Sequence, residues 1–306
     1  MLMRLRKKYK NWLPLYLYLI IPIVYIILFK YVPMAGLQLA FKKFKILGGI
    51  WGSPWVGLKN FERFFNSYQF TTVVTNTLTL SLYSIFAGFP FPIIFALLLN
   101  CVEKARIKKT VQTITYMPHF ISTVVLVGMI LQICNPNSGL VGKISMLLTG
   151  SKGTDIMATT GGFTNLFVWS GVWQNFGWDS IMYLAALTAV DVQQHEAAQI
   201  DGASRFQRVL HVDLPAILPT ITIMLIMRMG SVMSVGFTKI YLMQNDLNLA
   251  ASEVISTYEY KRGLANAGST DFSLSTAIGL FNSCINLIMI VLVNAICRKV
   301  SETSLW

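Results

Sequence analysis

Six long apolar stretches constrain the fold of this chain more than any other feature of its sequence. They cover residues 12–32, 71–99, 111–134, 163–190, 216–242 and 272–297. Each has about 20 or more residues, which is the length that an α-helix needs to cross the hydrocarbon of a bilayer. A helix also satisfies its own backbone polar groups in lipid. The sequence therefore predicts an all-α, polytopic membrane protein with six transmembrane helices, of which the fourth is the least apolar.

The composition excludes a water-soluble fold for a chain of this length. Hydrophobic residues make up 54% of the 306 residues and charged residues only 12%, and the mean hydropathy is +0.58. A soluble chain carries about a quarter charged residues, because its surface must be wetted. The surplus apolar surface must therefore face lipid. No internal repeat is visible, and we expect residues 12–306 to form one transmembrane domain.

The basic segment before the first apolar stretch has two interpretations. Arg4, Arg6, Lys7, Lys8 and Lys10 resemble the basic region of a signal peptide. However, the apolar run that follows is too long for an ordinary signal peptide, and no small-x-small cleavage site closes it. We therefore expect residues 1–11 to remain as a basic tail in the cytoplasm.

The formal net charge of +12 first suggests nucleic acid as a partner. Most basic residues instead stand in short tracts beside the apolar stretches, where they set membrane topology. Lys and Arg residues in segments 1–11, 101–110, 191–215 and 298–299 lie on one side of a six-span fold. They predict a multi-pass protein of the cell membrane with both termini in the cytoplasm and no nucleic acid partner.

The loop after the first span opposes this topology. It carries five basic residues, Lys42, Lys43, Lys45, Lys59 and Arg63, on the side expected to lie outside. That loop is longer, and charge close to the first span usually dominates orientation. We therefore expect both termini to lie in the cytoplasm.

Residue types that serve catalysis or bind metals are scattered. The four cysteines, Cys101, Cys134, Cys284 and Cys297, lie far apart and form no C-x-x-C pair. The three histidines have no acids at metal-ligand spacing, and the sequence contains no Gly-rich phosphate loop and no nucleophile elbow. The sequence therefore predicts no metal site, no cofactor on this chain and no enzymatic activity.

The loop at residues 191–215 predicts a structured elbow. It reads as two short helices that meet at Gly202, because glycine tolerates the positive φ that a helix end and a sharp turn require. Phe206 and Val209 belong to an apolar stripe at helical spacing, and Leu214-Pro215 is expected to end the second helix. A slim, apolar elbow in the cytosol is therefore expected to bind in a groove. The alternative is a solvated amphipathic turn, since a charge followed by alanines is common on helices.

The same loop resembles the EAA loop of ABC importer permeases. Glu196-Ala197-Ala198, then Gly202, and then Val212-x-Leu214-Pro215 follow the order of that motif, with Val212 at a position where Ile is usual. In that family the loop forms coupling helices, which enter a cleft on a cytoplasmic ATPase subunit and transmit its closing to the spans. The resemblance implies the ATPase-coupling residues Glu196, Ala197, Ala198, Asp201, Gly202, Ala203, Phe206, Leu214 and Pro215.

The likeness extends through most of the chain. Residues 52–61, 171–187, 235–245, 256–258 and 301–306 are similar to carbohydrate-uptake permeases, and more narrowly to the branch that serves complex oligosaccharides. The resemblance implies the type I ABC importer permease fold, alternating access, and half of a translocation path. It also implies several partners: a second, related but non-identical permease, two ATPase subunits that bind ATP and Mg, an extracellular or periplasmic solute-binding protein, and a carbohydrate cargo.

Polar and aromatic groups of the fourth span are candidates for the cargo path, because polar groups within spans face protein or water. This span offers Trp173, Gln174, Asn175, Trp178 and Asp179. Sugars pack their C–H faces on aromatic rings, while their hydroxyls seek polar partners. The tryptophans fit an outer interfacial belt equally well.

Other candidates stand on the second and sixth spans. Asn282 and Asn286 are four residues apart and share one helical face. They either line the path or bond neighbouring helices, which is the more common outcome. Tyr83 and Asn76 on the second span have the same two interpretations, and we expect Asn76 to be structural.

Arg228 is the most informative charge within the spans. About twelve residues of helix after residue 216 place it near the middle of the bilayer. Its charge must be neutralised by Asp179, by an acid of a partner subunit or by a carboxylate of the cargo. Structural pairing is the more common outcome; the competing hypothesis is that Arg228 faces the cavity and favours acidic oligosaccharides.

Two other functions remain open on the sequence alone. An ion-driven secondary transporter would show ionisable groups or broken helices near the midplane, and commonly more spans or an internal repeat. An integral-membrane enzyme would need a cluster of acids or histidines on facing spans. The sequence favours neither pattern.

Overall fold

In the computed structural model, residues 2–151, 153, 155–265, 270–301 and 304–305 are described, with side chains for all of these except residues 2–11, 13, 300 and 301. This part of the chain is helical and contains no strand, only an isolated antiparallel bridge between Lys42 and Trp55. The all-α prediction is confirmed. The basic side chains of the tail 1–11 and most of the 301–306 ending lie outside the described residues.

The chain divides into two compact units, and the first comprises residues 1–67 and 259–280. It begins with α1 (Leu2–Ile26), which continues through a π-helical turn, Ile27–Tyr31, into α2 (Val32–Met34) and the 3-10 stretch Ala35–Phe41. The 3-10 turn Ile46–Gly48, α3 (Gly49–Gly52) and α4 (Lys59–Phe65) follow. The apolar part of α1 buries none of its side chains within the structure, as expected for a helix that faces lipid.

Buried polar groups order the loop after this first helix. Asn60 Nδ2 donates to Ala40 O at 2.9 Å and to Lys42 O at 3.0 Å. The Lys42 ammonium donates to Ile50 O at 2.9 Å and lies 4.9 Å from the centre of the Trp55 ring. This loop is therefore a folded part of the first unit, held by backbone carbonyls that lysine and asparagine satisfy.

The second unit comprises residues 68–258 and 281–306. Its helices are α5 (Phe70–Gly88), α6 (Pro90–Asn100), α7 (Ala105–Tyr116), α8 (Thr123–Cys134), α9 (Leu140–Thr149), α10 (Thr160–Thr188), α11 (Val192–Ile200), α12 (Arg205–Arg208), α13 (Leu214–Met229), α14 (Phe237–Met243) and α15 (Leu249–Ser252). Two further helices, α16 (Ile255–Tyr260) and α17 (Phe272–Ser301), have residues in both units. Short 3-10 turns at Met117–Phe120 and Ile156–Ala158 and π-helical turns at Val209–Asp213 and Lys261–Ala265 complete the element order.

α10 forms the centre of the second unit. It packs against α5, α6, α7 and α13. One buried apolar cluster lies around Phe163 and Ile240, and another joins Ala96, Leu184 and Ile217. Both ends of the long α10 thus contribute side chains to buried apolar clusters, although this helix is the least apolar of the predicted spans.

The helices that could cross a membrane match the predicted spans incompletely. Four described helices are long and apolar enough: Pro14–Phe41, Phe70–Asn100, Arg205–Met229 and Phe272–Lys299. α10 has 29 residues, but its amide and carboxylate side chains lower its hydropathy. A further pair, Ala105–Phe120 and Thr123–Cys134, passes the same test together. Six spans are compatible with these helices, and the number stays a prediction.

The third predicted span, 111–134, is not one straight helix. Its two helices are bent by 92° at the break between them. Pro118 stands in the 3-10 turn and has no N–H to continue the helix. The Ser122 side chain then accepts from Val125 N at 3.3 Å and begins α8.

The fifth predicted span, 216–242, also differs from the structure. The helix begins earlier, at Arg205, and ends at Met229, while Phe237–Met243 forms a separate helix. Gly230 follows the helix end, and a Cβ there would lie 2.9 Å from the Ile290 side chain. A side chain at position 230 would therefore crowd α17, and glycine is also a poor residue for continuing a helix.

Candidate functional site

Residues 191–215 form an elbow in the second unit. The Asp191 side chain accepts from Gln193 N at 2.9 Å and caps α11. Gly202 has a φ of 79°, in the left-handed region that glycine adopts without steric cost. Ser204 and Gln207 then form a capping box that begins α12. The turn at Gly202 thus follows from local residues on both sides of it.

The prediction that Leu214-Pro215 ends the second helix is wrong. α12 continues through the π-helical turn Val209–Asp213 into α13, so residues 205–229 form one helix of 25 residues. A proline inside an α-helix removes a hydrogen bond, and its ring clashes with the carbonyl four residues earlier. The wider π-helical turn before Pro215 relieves both effects.

The elbow surface is apolar and exposed in this chain. Val192 is 66% exposed, Ile200 86% and Phe206 71%. Of the predicted coupling residues, Glu196, Ala197, Asp201, Gly202, Phe206 and Pro215 are exposed, and Ala198, Ala203 and Leu214 are partly buried. Isolated apolar residues are normal on a surface, and here three exposed ones lie within one short elbow.

A buried carboxylate ties the elbow together. Asp213 is 4% exposed, and its Oδ1 lies 3.1 Å from His195 Nε2 on α11. Asn100 Nδ2, at the end of α6, donates to the same oxygen at 3.5 Å. On the surface nearby, Arg205 forms an ion pair with Glu103 at 2.6 Å. Sequence analysis did not single out this bridge, although an acid directly before Leu-Pro at the start of an apolar span was a usable signal.

The thiol of Cys101 lies beside this bridge. Burial raises its pKa, and the carboxylate of Asp213 raises it further, against the opposing effect of Arg205. The thiol is therefore neutral at physiological pH and is a poor nucleophile. This agrees with the packing role expected for the cysteines.

A cavity of about 410 Å³ lies among α5, α10, the end of α13 and the segment that leads into α14. Four of the predicted path residues line it: Gln174, Asn175, Asp179 and Arg228. Side chains that sequence analysis did not single out line it as well, namely Ser81, Ser84, Ser231, Ser234 and Lys239. Amides, hydroxyls and charged groups of this kind form hydrogen bonds with sugar hydroxyls.

Arg228 is paired within the chain. Its Nη2 donates to Asp179 Oδ2, and the two side chains are 32% and 27% exposed. Of the three neutralising groups that the sequence allows, Asp179 is thus in direct contact. The ion pair links α10 to the end of α13.

Lys239 is the second cation of the cavity, and sequence analysis missed it. Its side chain is buried, its ammonium donates to Phe167 O at 2.8 Å, and it lies 4.9 Å from the centre of the Phe167 ring. The signal was a lone charge within the apolar run 235–243. Such a charge is costly in a membrane and marks a functional site by default.

The other predicted path residues do not line the cavity: Tyr83, Trp173, Trp178, Asn282 and Asn286. The Trp178 ring stacks on His119, with the ring centres 4.5 Å apart. The Tyr83 hydroxyl donates to Asn165 Oδ1 at 2.6 Å and accepts from Trp169 Nε1 at 3.0 Å. Trp178 and Tyr83 thus contact other side chains of the second unit.

The amides on α5 and α17 also bond within the protein. Asn286 Oδ1 accepts from Met233 N at 2.9 Å, next to the cavity. Asn76 Nδ2 donates to Ala250 O at 2.8 Å, in agreement with the expected structural role. Asn282 Oδ1 is buried and has no hydrogen-bond partner among the described residues.

Comparison with known proteins identifies the family. The model of the family described as "binding-protein-dependent transport system inner membrane component" matches residues 73–302. The chain belongs to this family. The prediction of an ABC importer permease is confirmed, and so is the prediction that the chain is a membrane transport subunit and not an enzyme.

Two Bacillus subtilis (strain 168) proteins are similar to this permease over nearly its whole length. Protein LplB is 40% identical over 299 residues, which cover 98% of this chain and 92% of that protein. The polygalacturonan/rhamnogalacturonan transport system permease protein YteP is 40% identical over 293 residues, which cover 95% of this chain and 90% of that protein.

Solved structures give the same fold. The permease is similar to a chain of a bacterial ABC transporter involved in the import of the acidic polysaccharide alginate, with a TM-score of 0.87, 36% identity and coverage of 97% of this chain and 99% of that chain. A second structure of a bacterial alginate ABC transporter, in complex with an alginate pentasaccharide-bound periplasmic protein, also has a TM-score of 0.87, at 35% identity and with 98% and 99% coverage. The predicted ABC importer permease fold is confirmed.

Proposed function

We propose that this permease forms half of a path for an acidic oligosaccharide, and that a separate ATPase drives transport by binding the elbow. The observation that carries the proposal is the charge of the cavity. Arg228 and Lys239 are cations, and Asp179 is the only carboxylate among the cavity-lining residues that the structure describes. One positive charge is left over, and it favours an anionic cargo.

The relatives support this cargo. The named cargo of YteP is polygalacturonan or rhamnogalacturonan, and the solved transporter imports alginate, an acidic polysaccharide. Both are chains of sugar units that carry carboxylates. The serine and amide side chains of the cavity add hydrogen-bond partners for the hydroxyls of such a chain.

The elbow supports coupling to an ATPase. Its exposed Val192, Ile200 and Phe206 form an apolar surface that would lose its contact with water in a groove of another protein. Glu196 is exposed on the same elbow and is available for a basic group of that partner. ATP and Mg would be bound by the ATPase, since the sequence of this chain contains no phosphate-binding loop.

Other subunits complete the proposed transporter. A second, related permease would supply the other half of the path, and two ATPase subunits would bind the two elbows. A solute-binding protein outside the membrane would deliver the oligosaccharide, as the complex with a periplasmic protein suggests for the alginate transporter. Transport would then proceed by alternating access.

The cargo is tested with the complete transporter in proteoliposomes. ATP-dependent uptake of a galacturonate oligosaccharide is compared with uptake of the same oligosaccharide after its carboxylates have been reduced to alcohols. We expect preference for the acidic form. Equal uptake of both forms would contradict the proposed cargo, while absence of ATP dependence would contradict the proposed coupling.

The elbow is tested by mass spectrometry of the proteins that copurify with the tagged permease. Phe206→Ser should reduce the recovered ATPase, because a polar side chain cannot fill an apolar groove. Gln194→Ser is the matched control on the exposed face of α11 and should leave recovery unchanged. Full ATPase recovery with Phe206→Ser would count against the elbow contact.

The termini are tested with a reporter fused after Trp306. We propose that both termini lie in the cytoplasm, because most of the basic tracts fall on that side. A reporter that is active only in the cytoplasm should be active, and one that is active only outside should be silent. The reverse pattern would overturn the topology and with it the position of the elbow.

A further inference from the structure

The two cations of the cavity are held in different ways. Arg228 donates to a carboxylate, that of Asp179. Lys239 donates to a backbone carbonyl, Phe167 O, at 2.8 Å. A carbonyl dipole and an aromatic face stabilise an ammonium only partly, whereas a carboxylate neutralises a cation. The charge of Arg228 is therefore balanced by Asp179, whereas the charge of Lys239 is not balanced by a carboxylate among the described residues.

No described side chain neutralises Lys239. The ion pairs of the described residues, with N–O distances up to 4 Å, join Arg63 to Asp271, His195 to Asp213, Arg205 to Glu103 and Arg228 to Asp179. A lysine ammonium has three N–H donors, and the hydrogen bond to Phe167 O occupies one of them. Two donors are therefore available to a group that enters the cavity.

At the Lys239 ammonium, the helix α10 carries a glycine and therefore no side chain. Gly171 lies on α10, and a Cβ at this position would stand 3.3 Å from Lys239 Nζ. Both residues line the cavity, together with Ser231 and Ser234. The backbone of α10 thus leaves space at the ammonium, and hydroxyl groups lie within the same cavity.

We propose that Lys239 is the residue that binds a carboxylate of the cargo, and that Arg228 is a positioning residue that holds α10 and α13 together through Asp179. This inference rests on the proposed function, an acidic oligosaccharide path. It assigns charge selectivity to the ammonium beside Phe167. The serine hydroxyls of the cavity would then bind neutral parts of any sugar chain.

The test uses the complete transporter in proteoliposomes and measures the ratio of acidic to neutral uptake. The two cargoes are a galacturonate oligosaccharide and its carboxyl-reduced form. Lys239→Met removes the charge and keeps the length of the side chain, and we expect it to lower the ratio about tenfold, as for the loss of a charged hydrogen bond. Lys239→Arg keeps the charge and should restore most of the ratio.

Arg228→Gln is the comparison variant. Its ion pair is structural in this proposal, so it should lower the uptake of both cargoes together and leave the ratio near that of the wild type. A fall in the ratio with Arg228→Gln and none with Lys239→Met would overturn the assignment. Equal loss of both cargoes with Lys239→Met would also overturn it, because the lysine would then be structural.

Gly171→Ala is a second, independent variant in case Lys239→Met does not assemble. The added methyl group crowds the ammonium without removing it, so the ratio should fall severalfold. An unchanged ratio in this variant would count against the site. Reduced copurification of the second permease with Lys239→Met, without a change in the ratio, would indicate that a carboxylate of that chain pairs with Lys239, and would also overturn the proposal.

Wild-type uptake distinguishes a failure of the proposed cargo from a failure of the proposed role of Lys239. Equal wild-type uptake of acidic and neutral cargo would contradict the proposed cargo itself. A clear wild-type preference that persists in Lys239→Met would contradict only the role of Lys239.

Discussion

The elbow is formed by consecutive residues, 191–215, whereas the cavity is lined by side chains from several segments that are far apart in the sequence. The apolar side chains of the elbow, such as Phe206, are exposed, while the charges of the cavity are held by Asp179 and by Phe167. In the proposed function, the elbow keeps its apolar side chains exposed for a partner chain. The cavity, proposed to meet the cargo, holds most of its charge within the protein.

The largest expected effect concerns the ion pair between Arg228 and Asp179 in the cavity. Arg228→Gln leaves the carboxylate of Asp179 without its partner, and removing one member of a largely buried ion pair costs about 3 kcal/mol. We expect a lower unfolding midpoint of the purified permease in detergent and less protein in the membrane. The double variant Asp179→Asn with Arg228→Gln removes both charges and should recover much of the loss. Equal stability of the wild type and the single variant would show that the cavity does not depend on this pair.

The second prediction concerns the backbone of the elbow. Gly202→Val places a β-branched residue at a φ of 79°, which costs about 2 kcal/mol in the left-handed region. Apart from the chain neighbours of Gly202, no described residue has an atom within 4 Å of a Cβ at this position, so the effect comes from the backbone and not from crowding. We expect the ATPase to hydrolyse ATP without sugar uptake, while the permease still inserts into the membrane.

Gly202→Asn is the matched control for this variant. Asparagine tolerates the left-handed conformation better than other side chains, so uptake should be largely retained. Loss of uptake that is equal for valine and asparagine would mean that any side chain at this position blocks the elbow, and the backbone explanation would then be wrong.

The third prediction concerns the bridge at the base of the elbow. Asp213→Asn keeps the shape of the side chain and removes the charge that faces His195, at a cost of about 1 kcal/mol. We expect a severalfold loss of uptake per ATP hydrolysed, because α11 is then less firmly joined to the helix that follows. Asp246→Asn is the control, since Asp246 is exposed and lies outside the elbow. A larger effect at 246 than at 213 would contradict the role of the bridge.

The smallest effect is expected at the exposed acid of the elbow. Glu196→Lys reverses one surface charge, and single exposed ion pairs contribute about 1 kcal/mol or less. We expect a modest reduction of ATPase copurification that becomes smaller at high salt, because salt screens exposed charges. Glu62→Lys on α4 provides the control for charge reversal outside the elbow. Salt-independent loss of the ATPase would point to misfolding of the elbow.

The sequence predicted the elbow well because its signals are local. Gly202 sets the predicted turn by its own φ. The caps at Asp191 and Ser204, which sequence analysis did not identify, also act within three residues. The exception was Pro215, which was expected to end a helix. The π-helical turn before it accommodates the proline, and single-residue helix rules do not anticipate that change of hydrogen bonding.

The cavity could be predicted only in part. The polar residues of α10 stood out because they interrupt an apolar run, and three of them, Gln174, Asn175 and Asp179, do line the cavity. The tryptophans of the same helix do not, because the helical rotation that turns one residue inward turns its neighbour elsewhere. Lys239 was missed because it lies on a short helix that was expected to be the end of the fifth span, and its position depends on the break after Met229.

The π-helical turn has one mechanical consequence for this permease. Because the turn joins Phe206 and Arg228 in one continuous 25-residue helix, the two residues stand about 33 Å apart along it at 1.5 Å per residue. A tilt of this helix by about ten degrees at the Phe206 end would shift the Arg228 end by about 6 Å on that geometry. A push on the elbow would thus reach the arginine–aspartate contact through continuous helical backbone, with no loop between them.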